Sequence, residues 1–323
     1  MLNTGIRAVD CYAPEKILTN DDLSQIVDTS DEWIYTRTGI KQRHLSTGED
    51  TSQLCIEVAK RLLEKSGTLP EEIDLIIVGT ISPDYATPST ACLVQGAIGA
   101  VNAFAFDISA ACSGFVYALS IADKFIKSGG YKKAIVIGAE TLSKIVDWKD
   151  RSTCVLFGDG AGGVIVEPVD KGGILAEDMH SKGEDGLKMT GNERKPENML
   201  CTPESENNPY LVMDGRAIFN FATKVVPHSV NEIIEKSGIS MDDVKYIVPH
   251  QANSRIIDIV ARKLNVPIEK FYININEYAN TSAASIPIAL GEMSEKGLLK
   301  KGDKIIVTGF GAGLTWGSML IEW

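Results

Sequence analysis

Three polar side chains lie where the sequence turns sharply between apolar runs. Cys112 sits in Ser109-Ala110-Ala111-Cys112-Ser113-Gly114-Phe115, after the strand-like run 104–108 and before a helix-like run that goes on to Gly129-Gly130. Near a helix N-terminus, unpaired N–H groups and the helix dipole favour a thiolate. Small neighbours leave room for a substrate. Such a residue reads equally as a nucleophile or as a buried thiol in a tight turn. His250 follows the apolar run Tyr246-Ile247-Val248, in Pro249-His250-Gln251-Ala252-Asn253. It is either an acid–base group or a loop residue at the surface. Asn280, in Ala279-Asn280-Thr281-Ser282, precedes another helix and taken alone is an N-cap. The tight turn Phe310-Gly311-Ala312-Gly313-Leu314-Thr315-Trp316-Gly317 offers backbone N–H groups to an oxyanion, or simply joins two core strands; both readings can hold.

The elements that must position these residues are duplicated. Residues 62–78, LLEKSGTLPEEIDLIIV, return at 233–249 as IIEKSGISMDDVKYIVP, an offset of 171. Each copy predicts a helix ended by Gly, an acidic turn, then an apolar strand. The offset holds for Lys133–Gly138 against Lys304–Gly309, and for Ala118-Leu119 against Ala289-Leu290. It then breaks: Gly160-Ala161-Gly162 matches Gly311-Ala312-Gly313 at 151, so the first half carries about 20 extra residues between 140 and 159. An insertion in one copy of a duplication is a candidate functional loop. Each half is expected to run strand, helix, strand, helix, strand and closing strand. The chain therefore reads as two α/β halves, 1–170 and 171–323, of βαβαβ type, packed about a pseudo-twofold. Ligand sites in such sheets lie beyond the carboxyl ends of the strands. His250 then takes the place of Gly79, and Asn280 that of Ser109, on one shared surface.

Bulk properties exclude several classes. The chain has 323 residues, 44% hydrophobic and 23% charged, which fits one large or two ordinary globular domains. A net charge of −11 argues against non-specific binding to nucleic acid or anionic membrane. No apolar run reaches the ~20 residues of a membrane span, and Met1–Arg7 lacks the pattern of a signal peptide. The six cysteines show no Cys-x-x-Cys and read as thiols in a reducing compartment, hence a cytoplasmic location. The four histidines have no metal-ligand spacing, so no metal site is expected.

Taken together, SAACSGF, PHQAN followed by Arg255, ANTSAAS and FGAGLTWG are similar to the β-ketoacyl-acyl-carrier-protein synthase III family of condensing enzymes. DEWIYTRTGI at 31–40 and FGDGAG at 157–162 extend the resemblance over essentially the whole chain. The resemblance implies a thiolase-like, five-layer α-β-α-β-α sandwich and a Cys-His-Asn triad on Cys112, His250 and Asn280. The implied reaction is acylation of Cys112 by a short acyl-CoA, then decarboxylation of malonyl-acyl-carrier protein, whose enolate takes up the acyl group. It implies His250 Nε2–H and Asn280 Nδ2–H as donors to the enolate oxygen, and the N–H groups of Cys112 and Ala312 as an oxyanion hole. Trp33 and Arg151 look like the pair that sandwiches adenine, with Arg37 and Thr38 along the same coenzyme A channel. Gly215 and Phe310 would line the substrate site, and Gln251, Ala252, Asn253, Ser254 and Arg255 would meet the carrier protein. Arg262 and Lys263 extend that basic face for an acidic partner. A homodimer is implied, and no cofactor beyond the coenzyme A thioester substrate.

Two positions depart from the family. Asn220 stands where Lys is frequent, which weakens carrier docking there; Thr87 stands where a bulky Phe often reaches in from the neighbouring subunit, so a longer or branched primer is expected to fit. A papain-like protease shares the order Cys, His, Asn, but has no use for the duplication. Closer rivals on the same scaffold are starter enzymes of polyketide or quinolone pathways. A hydroxymethylglutaryl-CoA synthase would need a Glu acid–base for which no loop residue stands out. An intact triad argues against a non-catalytic carrier-binding protein.

Overall fold

The computed structural model describes residues 3–323; Met1 and Leu2, part of the segment read above for a signal peptide, lie outside the described residues. Apolar strands buried on both faces alternate with helices, as the repeat requires. In chain order the first sheet and its helices are β1 (Asn3–Tyr12), β2 (Ile17–Thr19), α1 (Asn20–Leu23), α2 (Asp31–Thr38), β3 (Gln42–His44), α3 (Thr51–Ser66), β4 (Leu75–Gly79), α4 (Thr90–Ile98), β5 (Phe104–Ile108), α5 (Gly114–Lys127), β6 (Ala134–Glu140) and β7 (Gly160–Val169). There follow β8 (Gly173–Ser181), β9 (Met189–Thr190), β10 (Val212–Met213), α6 (Gly215–Ser237), β11 (Val244–Pro249), α7 (Ser254–Leu264), α8 (Ile275–Tyr278), α9 (Ser285–Glu295), β12 (Lys304–Gly311) and β13 (Thr315–Glu322). One sheet has the order β1-β7-β6-β4-β5 and the other β11-β12-β13-β8. The pairs β2–β3 and β9–β10 form separate two-stranded ribbons.

Helices α5 and α9 lie between the sheets. α5 packs on β4 and β6 of one sheet and on β12 and β13 of the other, and α9 packs on β1, β7 and β11. α3 covers the outer face of the first sheet and α6 that of the second, which gives five layers. The central helices are apolar nearly all round: Phe115, Leu119, Ala289 and Leu290 have no exposed surface. Burying a side chain the size of Leu or Phe contributes roughly 1.5–3 kcal/mol relative to leaving it in water.

The duplicated segments fold as copies. α3 and α6 each end on a left-handed Gly, Gly67 at φ 66° and Gly238 at φ 70°. Each is followed by a short 3-10 turn and then β4 or β11. Two expectations need correction. First, Gly160–Gly162 lies within β7, whereas Ala312 and Gly313 form the turn after β12. Strand pairing sets the true correspondence. Gly138 faces Gly162 and Gly309 faces Gly317, so the closing strands match at 317 − 162 = 155. The first-half insertion is then 171 − 155 = 16 residues, not about 20. Second, the second half has no strand equivalent to β5. That place is held by one bridge, Ile247 to Phe271, and by the short helix α8.

Candidate active site

Cys112 lies not in the first turn of α5 but in the 3-10 turn Ala111–Ser113 just before it. Ala111 reaches it with φ 46°, a left-handed conformation that costs a residue with a Cβ about 1–2 kcal/mol. The thiol is 4% exposed. Burial pushes its pKa up to about 12, against the depressed value expected from the helix dipole. Desolvation outweighs the dipole here, so the resting group is a thiol and must lose its proton to react.

His250 caps the end of β11. Its backbone N–H donates to Thr308 O of β12, and its ring stands edge-on to Phe310 at 5.1 Å. Full burial lowers the imidazole pKa to about 3, so the ring is neutral. Nδ1 is 2.7 Å from Ser285 Oγ, which orients the ring with Nε2 toward the cavity that His250 lines. The Ser285 hydroxyl also lies 2.9 Å from Ser282 O, so its hydrogen turns to either acceptor. When it turns to Nδ1, Nε2 carries the hydrogen.

Asn280 is 7% exposed and tied down on three sides. Its backbone N–H donates to Leu156 O, its carbonyl accepts from Gly158, and Oδ1 accepts from Ser282 N–H at 2.8 Å. Asn280 is therefore not the N-cap: Thr281 holds that place for the turn Ser282–Ala284 and Ala284 holds it for α9, while the Asn280 side chain makes a local bond two residues on. That bond spends the side-chain oxygen and leaves Nδ2 for the cavity that Asn280 lines.

Cys112, His250, Asn280, Phe310 and Gly215 line one cavity of about 170 Å³, walled by Leu156, Met213 and Ile218. Phe310 joins from β12, and the turn that follows folds against Cys112. A Cβ on Gly311 would meet Cys112 N at 2.7 Å, so only glycine lets the turn come this close. Thr315 Oγ1 donates to Ala110 O, and Ser113 Oγ donates to Thr315 O, which fixes the turn beside the cysteine. Ala312 borders a second cavity of about 590 Å³ with Ala110, Ala111 and Met189. Thr87 is exposed and borders neither cavity, although Ala86 borders the second.

Ser152 lines both the first cavity and a surface cleft of about 620 Å³ that holds Trp33 and Arg151. The Arg151 guanidinium lies 5.0 Å from the Trp33 ring centre and that of Arg37 lies 4.7 Å from it, so the indole is flanked by two cations. Arg151 Nη1 also donates to Asp28 O at 2.6 Å. A base that enters between Trp33 and Arg151 has to part them. Thr38 does not join the cleft: it is 4% exposed, and its hydroxyl donates to Ile34 O.

Around the N-terminus of α7, Ala252 and Asn253 line the first cavity, and Arg255 is exposed. Asn253 accepts from Arg255 N–H and donates to Arg37 O, which couples α7 to the cleft. Ser254 packs under Gly39 at the end of α2, where a Cβ would clash with its hydroxyl. Gln251 must be withdrawn from the carrier-facing set. It is 1% exposed, and its amide bonds Pro249 O, Tyr272 O and Asn274 N–H. Sequence reading also missed Ser152, Ser285 and the apolar wall residues, whose types carry no chemical signature. Among the described residues, no group of three or more His, Cys, Asp or Glu is placed to hold a metal, and no helix is long and apolar enough to cross a membrane.

Comparison with known proteins points one way. Residues 106–183 match the model of 3-oxoacyl-[acyl-carrier-protein] synthase III, and residues 234–323 match the model of its C-terminal region. The β-ketoacyl-[acyl-carrier-protein] synthase III of Clostridium acetobutylicum is 54% identical over 100% of this chain and 99% of its own. The crystal structure of 3-oxoacyl-[acyl-carrier-protein] synthase III from Aquifex aeolicus superposes with a TM-score of 0.93 at 48% identity, covering 99% of this chain and 100% of that one. A priming β-ketosynthase of a polyketide biosynthetic pathway reaches the same TM-score at 34% identity, covering 99% and 96%.

Proposed function

The chain belongs to the 3-oxoacyl-[acyl-carrier-protein] synthase III family, and on that premise we propose that Cys112, His250 and Asn280 carry its reaction. It is a condensing acyltransferase of fatty acid biosynthesis, which joins the acyl group of an acyl-CoA to malonyl-acyl-carrier protein with loss of carbon dioxide. The coenzyme A thioester is a substrate, and the reaction calls for no cofactor. The observation that carries the residue assignment is the single buried cavity shared by these three side chains.

In this reading the acyl-CoA thioester enters past Trp33 and Arg151 and reaches Cys112 by way of Ser152. The Cys112 sulfur attacks the carbonyl carbon, and the developing oxyanion is met by the N–H groups of Cys112 and Ala312. Losing one donor of this kind costs on the order of a hundredfold or more in rate. Coenzyme A leaves. Malonyl-acyl-carrier protein then binds, with Arg255 on its approach face. As carbon dioxide leaves, His250 Nε2–H and Asn280 Nδ2–H hold the enolate oxygen. Neutral His250 suits this role, because a neutral donor stabilises the enolate without protonating it outright. The enolate carbon attacks the acyl-cysteine, the carbon–sulfur bond breaks, and the 3-oxoacyl carrier protein departs.

The same reading divides the chain at 170/171, places it in the cytoplasm with its thioester substrates, and makes it a homodimer. Support for the dimer comes from β5, which among the described residues pairs only with β4 and leaves the edge of the first sheet open. Phe104 on that edge is 48% exposed and heads an aromatic cluster with Phe106 and Phe125. An open apolar edge is a template for pairing with another copy. The exposed Thr87 loop, rather than a bulky Phe, would then meet the partner's acyl pocket. Parallel assays with acetyl-, isobutyryl- and octanoyl-CoA test that; use of acetyl-CoA alone would sink it.

The deciding experiment is intact-protein mass after mixing with acetyl-CoA, then a chase with malonyl-acyl-carrier protein. The expected result is an acetyl adduct on Cys112 that is discharged as acetoacetyl-carrier protein. An adduct that forms but is not discharged would favour a starter enzyme with another acceptor. No adduct with any acyl-CoA would overturn the assignment of Cys112.

A further inference from the structure

The buried carboxyl of Glu140 has no part in the mechanism above. It ends β6, which packs against the turn Ser282–Ala284, and has no exposed surface. Among the described residues no cation pairs with it. Its donors are neutral: Thr80 Oγ1 at 3.1 Å, Ser82 N–H at 3.1 Å, Ser82 Oγ at 2.6 Å and Ile81 N–H at 3.1 Å, all on Oε2. Oε1 receives only a long second contact from Ile81 N–H at 3.3 Å. One oxygen is thus saturated and the other nearly free. A buried carboxylate without a cation is costly to hold charged, so it binds a proton more readily than a carboxylate in water.

The second observation is Ser282. It lies in the 3-10 turn Ser282–Ala284, which packs against both the Cys112 turn and β6. Its φ is 49°, so the backbone is held in a left-handed conformation that serine rarely adopts. Its hydroxyl oxygen is fully buried and makes no hydrogen bond of good geometry. That hydroxyl lies beside the Cys112 thiol and beside the Glu140 carboxyl, and it stabilises the charged form of each. A strained turn thus delivers an otherwise unpartnered hydroxyl between a thiol that must lose a proton and a carboxylate with a free oxygen.

We propose that Ser282 and Glu140 form the proton path of Cys112. This rests on the reading of Cys112 as the acylated nucleophile. As the sulfur attacks the thioester, the thiol proton passes to Ser282 Oγ while the Ser282 proton passes to Glu140 Oε1. The carbon–sulfur bond to coenzyme A breaks, and the coenzyme A thiolate takes a proton from solvent. When the enolate carbon later attacks the acyl-cysteine, the Cys112 carbon–sulfur bond breaks and the thiolate is reprotonated from Glu140 through Ser282. Over the cycle one solvent proton is consumed, as condensation with loss of carbon dioxide from a malonyl carboxylate requires. Glu140 is a positioning and proton-holding residue here, since it reaches the reacting sulfur only through Ser282.

Burial pushes the Glu140 carboxyl up to about 7, so it is an acceptor above neutral pH and not below. The other titratable groups around it are Cys112, Cys55 on α3 with the nearby Asp84 and Asp107, and Lys144, whose Nζ reaches Thr51 at 3.5 Å. Cys55 is itself pushed well up by burial and stays neutral.

The test is Glu140→Gln, read by the rate at which iodoacetamide alkylates Cys112 at pH 8, followed by intact mass. The proton path predicts a rate at least tenfold lower, because the acceptor is gone. If Glu140 acts only as a neighbouring charge, the opposite sign follows: removing a negative charge eases thiolate formation, and alkylation is unchanged or faster. That result overturns the proposal. Should the variant fail to fold, the wild-type protein still decides. The path predicts an alkylation rate that rises to about pH 7 and then flattens up to pH 8; a steady tenfold rise per pH unit across that range overturns it. Acyl adduct formation separates the two readings. No adduct with any acyl-CoA removes the assignment of Cys112, whereas an adduct whose formation ignores Glu140→Gln removes only the proton path.

Discussion

The two halves of the molecule carry the same turn and use it differently. Ala111 precedes Cys112 with φ 46°, and Ser282, 171 residues later, has φ 49°. Each turn leads into a central buried helix, α5 or α9. In the first half the next residue is the thiol; in the second it is Ala283, whose backbone presses on Gly138 so closely that a Cβ there would overlap it. The strand ends diverge likewise. Gly79 must stay bare because Gly114 of α5 lies against it, whereas β12 and Phe310 leave room at the matching place for the His250 ring. Duplication supplied two equivalent corners: one holds Cys112 and the cleft with Arg151, the other His250, Asn280 and the basic face of α7.

That division has testable content. If the second half serves decarboxylation alone, His250→Ala and Asn280→Ala should each lower condensation by about 10²–10³, while the acetyl adduct on Cys112 still forms. Intact mass and a malonyl decarboxylation assay on the same samples check this. An equal loss of adduct formation would show that the imidazole also serves the first step and would break the division.

If the cleft serves the first step only, the two substrates should respond separately to its loss. Arg151→Ala removes one of the two cations on the Trp33 ring and one wall of the base slot, a contact worth about 1–2 kcal/mol. The expected result is roughly a tenfold higher KM for acetyl-CoA with kcat and the KM for malonyl-acyl-carrier protein little changed. Arg255→Glu should do the reverse, lowering kcat/KM for the carrier substrate by about fivefold at low salt and less at high salt, with acylation by acetyl-CoA intact. Equal effects on both substrates in either variant would mean that the faces are coupled, and the Asn253 to Arg37 bond is where that coupling would run.

Much of this plan is legible from residues alone, because a repeat of 171 fixes which loops face each other and because Cys, His and Asn at matching loops are chemically distinctive. What is not legible depends on burial and pairing. Gln251 looks like its exposed neighbours in sequence, yet the chain turns its amide inward to satisfy three backbone groups. The run Gly160-Ala161-Gly162 resembles the turn at 311–313, and only the facing of Gly138 with Gly162 shows that it lies inside a strand. The balance at Cys112 is not legible either, because a helix end favours charge only to the extent that the site is wet, and burial here raises the thiol pKa. Glu140 and Ser282 carry no local signal, since they are 282 − 140 = 142 residues apart and come together only in the fold.

The smallest expected effect bears most directly on the two corners. Glycine adopts a positive φ without penalty, so Ala111→Gly should relieve about 1–2 kcal/mol of strain and lose about 0.5–1 kcal/mol to the freer unfolded chain. The net gain is about 0.5 kcal/mol, to be read from urea unfolding. If the strain aims the thiol, acylation by acetyl-CoA should fall a few-fold even as stability rises, because the relaxed turn holds Cys112 less firmly. Ser282→Gly relieves the same strain in the second corner and should give the same stability gain. Gains that match would mean the two corners still share one strained geometry despite their separate chemistry. A gain at Ala111 with none at Ser282 would mean that the buried hydroxyl, not the backbone alone, holds the second turn in place.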